Sequence, residues 1–463
     1  MGRLDKVYAG LPVWAQHWAA TGYGVYWKWL RFGPGFNACL DGFLRRDRFS
    51  ADEWQAWERE HLPRYLAAAA EHVPYYRQTW TAAQKQAARD GRLQELPLLE
   101  KNAVRADPCA FLRQDMRPLI RPVTYTSGST GTPVNNYWTT QEVRRTRAVR
   151  EARSARWAGV SFSQPRSTFS GRMVVTDPDS KGPFHRFNRM ENQVYFSAFH
   201  LSATTAPQYV AALQQHHIEW MTGYAVSHYL LARHILDLKL QVPPLKAVIT
   251  TSEKLTPEMR VVMEQAYGCR IFEEYSSVEN VMFASECEQG RLHVSPDAGI
   301  VELLREDGMP CQPGEVGEVV VTGLMREYQP FIRYRIGDLA AWDPAPCPCG
   351  RQMPVISEVV GRIEDVVVGA DGREMVRFHG IFVNQPNVVE GQIIQEAIDL
   401  IRVKVVGTAA FSETDEQDIV GRIRQRLGSG VKVVVDRVRE IPRTKAGKFK
   451  AVVSLLERGG HTS

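Results

Sequence analysis

"LKAVITTSEKLTPEMRVVMEQAYGCRIFEEYS", residues 245–276, moves from an apolar run into a segment of helical spacing and back into a second apolar run. That is the signature of a strand, a covering helix and a second strand. Upstream, "APQYVAALQQHHI" and "LLARHILDLKL" continue the alternation from about residue 205, so the chain reads as βα units on a largely parallel sheet. The fold class expected is α/β.

Further along, the pattern changes. Between about 290 and 370, "AGIVELLREDGMPCQPGEVGEVVVTGL" has short strands and Gly/Pro turns, which predicts a barrel-like or antiparallel β part. After residue 361, "IRVKVV", "DEQDIVGRIRQRL" and "VKVVVDRV" read as strand, helix and strand of a small α+β unit. The expected domains are therefore a large one over residues 1–360 and a small one over 361–463. Near the start, "SADEWQAWEREHLPRYLAAAAEHVPYYRQTW" has helical spacing, with Ser50 as N-cap before Glu53.

With 463 residues, 44% of them hydrophobic, the chain exceeds one ordinary core, which agrees with two domains. A net charge of +5 spread over 57 basic and 52 acidic residues gives no reason to expect a nucleic-acid partner. The N-terminal stretch lacks the pattern of a secretory signal, and no apolar run is long enough to span a bilayer. Trp14, Trp18, Trp27 and Trp29 beside Lys28 and Arg31 suit a membrane surface, but the expectation is that they dock on their own domain. Seven cysteines do not resemble a secreted disulfide framework, and the expected compartment is the cytoplasm.

"YTSGSTGTPV", residues 125–134, is dense in small donors. It has neither the spacing nor the lysine of a nucleotide-binding P-loop, and it is not a dinucleotide fingerprint. Glycines let backbone N–H groups approach phosphate oxygens, and hydroxyls add donors without bulk. In order after it come "TTSEKLTPEMR" (250–260), "EEYSSVEN" (273–280), "RYRIGDLA" (333–340), "GRIEDVV" (361–367) and "IPRTKAGKFK" (441–450). Together these segments resemble the ordered motifs of the adenylate-forming superfamily. Within it the chain looks most like the phenylacetate-CoA ligase family, especially the branch associated with capsular polysaccharide biosynthesis, over roughly residues 50–455.

The resemblance implies a large N-terminal domain, a small mobile C-terminal domain, and condensation of a carboxylic acid with ATP to an acyl-adenylate and pyrophosphate. Mg²⁺ and donors would absorb charge as the anions meet. It assigns Thr126, Ser127, Gly128, Ser129, Thr130 and Gly131 to the β- and γ-phosphates. Thr132 stands where the family often has lysine, so positive charge must come from elsewhere. Ser252 and Glu253 would border the adenine, Tyr275 and Ser276 would flank it, and Glu279 would hold Mg²⁺. Asp338 would grip the ribose hydroxyls, Arg362 would contact phosphate or ribose, and Glu364 would mark the hinge. Lys448 would reach from the small domain to the carboxylate and α-phosphate.

By the same resemblance, Phe199, His200, Gly223, Tyr224 and His228 are candidates for lining the acyl pocket, although aromatic residues there suit plain core packing as well. His200 reads either as a substrate contact or as a satisfied structural histidine. Cys287, His293, Cys347 and Cys349 would suit one tetrahedral structural Zn²⁺; the alternative is reduced cysteines in a tight turn. The acceptor expected first is CoA. "RFHGIFVNQPNVVEGQIIQ" (377–395) is longer and differently spaced than the glycine-rich stretch of CoA ligases, which leaves room for an amine acceptor and amide formation. A third alternative is a non-catalytic adenylate-binding module. The acid and the oligomeric state are not legible.

Overall fold

The computed structural model describes residues 8–456, apart from 9, 126–133, 173, 176, 178–179, 361–366, 371–373, 376–377, 383–384, 386 and 442–450. Strands β1 (Val123–Tyr125) and β2 (Asn135–Tyr137) form a small antiparallel pair. The main sheet is built from β3 (Arg166–Ser170), β4 (His185–Asn188), β5 (Gln193–Ser197), β6 (Trp220–Tyr224), β7 (Ala247–Thr251), β8 (Arg270–Ser276), β9 (Phe283–Glu286), β10 (Leu292–Val294), β11 (Ile300–Leu304), β12 (Val316–Thr322), β13 (Tyr334–Asp343) and β14 (Val355–Val360). Its order is β11-β12-β13-β14-β10-β9-β8-β7-β6-β3-β5-β4.

The centre, β5-β3-β6-β7-β8, is parallel throughout. Its β7 sequence AVITT is apolar and β-branched because helices cover both faces of such a strand. The principal helices are α1 (Val13–Phe32), α2 (Phe36–Arg46), α3 (Ala51–His72), α4 (Lys101–Ala106), α5 (Thr140–Val149), α6 (Ala206–Gln215), α7 (Ala225–Asp237), α8 (Pro257–Tyr267) and α9 (Glu413–Leu427). The stretch 245–276 forms the expected strand, helix and strand. Thr256 caps α8 through the Met259 N–H, and Gly268 ends it in the left-handed region. Ser50 caps α3 in a reciprocal box with Glu53, as its spacing predicts. The strands from β9 to β14 run antiparallel and extend the same hydrogen-bonded sheet beyond β8.

Beyond residue 361, β15 (Val367–Val368) pairs with β16 (Glu374–Met375), and a second sheet has the order β19-β18-β17-β20. It comprises β17 (Val388–Ala397), β18 (Leu400–Gly407), β19 (Lys432–Arg437) and β20 (Val452–Ser454). Ile419, Ile423 and Leu427 of α9 are buried in the core of this unit.

Trp14, Trp18 and Trp29 overturn the inward docking expected from the sequence, while Trp27 is half-buried. Helix α1 lies along β4, the last strand of the sheet, and meets its edge with polar groups. The Phe187 N–H donates to His17 Nδ1 at 2.9 Å, the Arg189 N–H donates to Thr21 Oγ1 at 3.3 Å, and Gln16 Oε1 accepts from Arg186 Nε at 2.7 Å. Gly24 admits Asn188, whose Oδ1 would lie 2.1 Å from a Cβ there. An edge strand presents unpaired backbone groups, so the helix face that covers it has to be polar. The aromatic face is left outward.

Candidate active site

Parallel strands present loops at their carboxyl ends, where ligands of open α/β sheets bind. The neighbours β6, β7 and β8 end at Tyr224, Thr251 and Ser276, and each end carries one of the motifs singled out in the sequence. Their register places Tyr224 opposite Thr251, and Thr251 opposite Glu274. Gly223 has φ +132, and a Cβ there would sit 2.0 Å from the Phe169 carbonyl oxygen. Only glycine lets β6 approach β3 so closely at this end.

A fourth element closes on these ends. In β13, residues 336–338 oppose Val319 alone, because Glu318 pairs with Leu339 and Val320 with Arg335. Gly337, at φ +83, takes up this bulge, and bulges re-aim side chains. Asp338 thus sits within a strand, and its Oδ2 accepts a 3.0 Å hydrogen bond from the Tyr275 hydroxyl at the end of β8. The residues expected at adenine and at ribose, 63 positions apart, touch.

Glu279 follows β8 and is 3% exposed. Burial alone would raise its pKa, but Lys101, the Tyr334 hydroxyl and Arg326 outweigh it and hold the carboxyl below its usual value. Lys101 Nζ lies 3.7 Å from Glu279 Oε1, and Tyr334 donates to the same oxygen at 3.1 Å. An ionised carboxylate is what a hard divalent cation needs, so this group fits Mg²⁺. Beneath it, the fully buried Arg326 donates to the Glu279 carbonyl at 2.9 Å and to Gln329 Oε1 at 2.6 Å, while Gln329 bonds the backbone of Asn135 and Tyr137. Burial pushes the Arg326 pKa down to about 10, opposed by Glu142, Tyr65 and Glu279. This network ties β2, the strand that follows residues 126–133, to Glu279.

Lys101, Arg326 and Tyr334 were not among the residues expected from the sequence. The missing lysine at Thr132 gave the only hint, since it called for a cation from elsewhere. Lys101, in the first turn of α4, places its ammonium beside Glu279.

Other expectations meet different surroundings. Glu253 Oε2 accepts from the Val226 N–H at 2.9 Å, capping the start of α7. Ser252 has φ +69, and the Ser276 hydroxyl donates to the Ser277 carbonyl at 3.2 Å. His200 has Nδ1 2.7 Å from Ser197 Oγ, Nε2 3.0 Å from the Asp177 carbonyl, and its ring stacked on Phe184. Phe199 packs in the cluster of the small α+β unit, 5.3 Å beneath the Arg426 guanidinium, and so joins the two units. His228 is fully buried between Phe169 and Tyr267, and burial lowers its pKa to about 4. Thr126, Ser127, Gly128, Ser129, Thr130, Gly131, Arg362, Glu364 and Lys448 lie outside the described residues.

The cysteine and histidine ligand atoms converge. Cys287 follows β9, His293 lies in β10, and Cys347 and Cys349 lie between β13 and β14; their ligand atoms all fall within 4.8 Å of one another. Cys287 and Cys347 sulfurs are 3.7 Å apart, and Cys349 Sγ is 3.4 Å from His293 Nε2. The first distance is far beyond a disulfide bond. Zn–S of about 2.3 Å and Zn–N of about 2.0 Å in a tetrahedron require edges of roughly 3.8 and 3.5 Å. His293 Nδ1 lies 3.1 Å from the Met353 carbonyl, the outer contact that orients a ligating imidazole. The set fits zinc.

Comparison with known proteins bears on this geometry. Residues 370–455 match the family model described as the CapK C-terminal domain. Protein CapK of Staphylococcus aureus is 26% identical over 380 residues, covering 79% of this chain and 81% of that protein. The phenylacetate-coenzyme A ligase of Escherichia coli (strain K12) is 25% identical over 447 residues, covering 88% and 96%. The chain is a homologue of CapK and of the phenylacetate-coenzyme A ligases. Its fold is that of 2-hydroxyisobutyryl-CoA ligase, solved with 2-HIB-AMP and CoA in the thioesterification state: the TM-score is 0.57 at 21% identity, covering 89% of this chain and 91% of that one. No described helix is long and apolar enough to cross a membrane.

Proposed function

We propose that the protein activates a carboxylic acid with ATP, releasing pyrophosphate, and passes the acyl group from the adenylate to CoA. The observation that carries this reading is the contact between Tyr275, at the carboxyl end of β8, and Asp338, at the bulge within β13. It sets an aromatic ring for a purine beside two acceptor oxygens for a ribose. Glu279 would hold Mg²⁺, which neutralises phosphate charge when bound. Lys101 adds a cation near the same carboxylate, and Lys448 would bring another from the small unit to the reacting carboxylate and α-phosphate. Cys287, His293, Cys347 and Cys349 would hold a structural Zn²⁺ that locks the ends of β9 and β10 to the β13–β14 connection.

The test is pyrophosphate release by the purified protein with ATP and Mg²⁺ across aryl, alicyclic, fatty and amino acids, with CoA or hydroxylamine as acceptor. Release with thioester formation supports the reading. Hydroxamate without thioester replaces the second half with amide formation. ATP binding without release for any acid overturns it in favour of a binding module.

A further inference from the structure

Helix α1 is amphipathic in the reverse of the usual sense. Its buried positions are Gln16, Thr21, Gly24 and Leu30, while Trp14 is 69%, Trp18 60%, Tyr23 55% and Trp29 43% exposed. Trp14, Trp18, Val25 and Trp29 fall on one stripe at helical spacing, with Tyr26 beside it. Gly22, on the same stripe, has open space around it. Exposed apolar surface of this extent on the outermost helix marks a binding face.

The chemistry of the face selects its occupant. Residues 13–32 contain no Asp or Glu, and Lys28 is exposed among the aromatics. At the rim, the exposed Arg189 lies over the Trp18 ring at 5.4 Å and the exposed Arg172 over the Trp27 ring at 5.2 Å. Exposed Met190 adjoins Arg189. Trp and Tyr, apolar with one polar tip, are the side chains that favour the headgroup layer of a bilayer. Cations among them complement anionic phosphates, the composition of a helix that lies in the interface plane. A second protein copy would offer the same positive rim and be repelled at it.

We infer that α1 seats this protein on an anionic bilayer, with its axis in the membrane plane and Trp14, Trp18, Tyr26 and Trp29 in the headgroup layer. The polar inner face, engaged with β4, holds the rest of the molecule to the helix. This inference is independent of the reaction proposed above.

The experiment is co-sedimentation of the full chain with phosphatidylcholine vesicles and with mixed phosphatidylcholine/phosphatidylglycerol vesicles, read with tryptophan emission. Binding to the mixed vesicles is expected, with a blue shift of emission, weaker partition onto phosphatidylcholine alone, and loss as salt screens the charges. Trp14→Ser/Trp18→Ser/Trp29→Ser should lower partition by about tenfold or more, given the apolar area withdrawn, with unchanged melting. Lys28→Glu/Arg189→Glu should abolish the preference for the anionic vesicles. Failure to sediment with either vesicle overturns the inference, as does equal binding by the tryptophan variant. So does self-association that the tryptophan variant loses while vesicles leave the wild type unbound, which would assign the face to a second copy.

Discussion

The Tyr275 hydroxyl donates to Asp338 Oδ2 at 3.0 Å, joining a residue at the end of a parallel strand to one aimed by a bulge in an antiparallel strand. If this pair holds a nucleoside, Asp338→Asn should raise the KM for ATP by roughly 10- to 100-fold, the scale of hydrogen bonds to a charged group. Tyr275→Phe keeps the ring and should cost about tenfold or less. Steady-state kinetics at saturating acid separates the two, and an unchanged KM in Asp338→Asn would exclude the ribose role.

Lys101 and Glu279 make the second prediction. Glu279 is held ionised against burial, chiefly by Lys101, so its contribution to stability is present above the unfolded carboxyl pKa and is lost as pH falls through the lower folded value. In Lys101→Ala burial loses its largest opponent and the carboxyl pKa rises. The acid limb of the pyrophosphate-release profile should then move to higher pH, and stability at pH 7 should fall by about 2 kcal/mol. A profile that does not move would separate Lys101 from the carboxylate.

Lys448→Ala should reduce adenylation by about 100-fold or more, the scale of removing a transition-state charge contact, with unchanged melting. Near-normal pyrophosphate release from the folded variant would rule the role out.

The four ligands predict one zinc per chain. Elemental analysis of protein purified without added metal should find it, and Cys347→Ser/Cys349→Ser should lose it together with melting temperature. The site lies within a cluster containing Trp54, Trp157 and Met353, so its loss should loosen the β9–β10 connection. Metal-free protein with unchanged melting would assign the cysteines to a tight turn.

Burial lowers the pKa of His185 to about 3, with His216, His17 and Arg186 adding to the shift, and that of His228 to about 4. Unfolded histidine binds its proton near pH 6.5, so between there and pH 4 the unfolded chain holds more protons than the folded one. Stability should therefore fall as pH drops below about 6.5, by up to about 2 kcal/mol per histidine at pH 5. Denaturant melts of wild type and His228→Gln check this; the variant's slope should be shallower in that window.

The parallel core was legible in the sequence, because apolar runs there alternate with segments of helical spacing, the pattern of βα units. The ordered motifs, through the family they resemble, pointed to residues that the fold brings to the strand ends, and the cysteine and histidine set was legible as residue types. Tertiary structure decided the rest. Lys101 and Arg326 reach Glu279 from segments remote in sequence, and nothing local marks such a cation as a partner. Glu253, His200 and Phe199 lie near the motifs in sequence, yet the fold gives them a helix cap, a hydrogen-bonded core position and a seam with the small unit. The N-terminal helix is the clearest case. An aromatic stripe reads as core until the neighbour is known, and here the neighbour is a sheet edge whose backbone groups demand polar partners, so the aromatics face out.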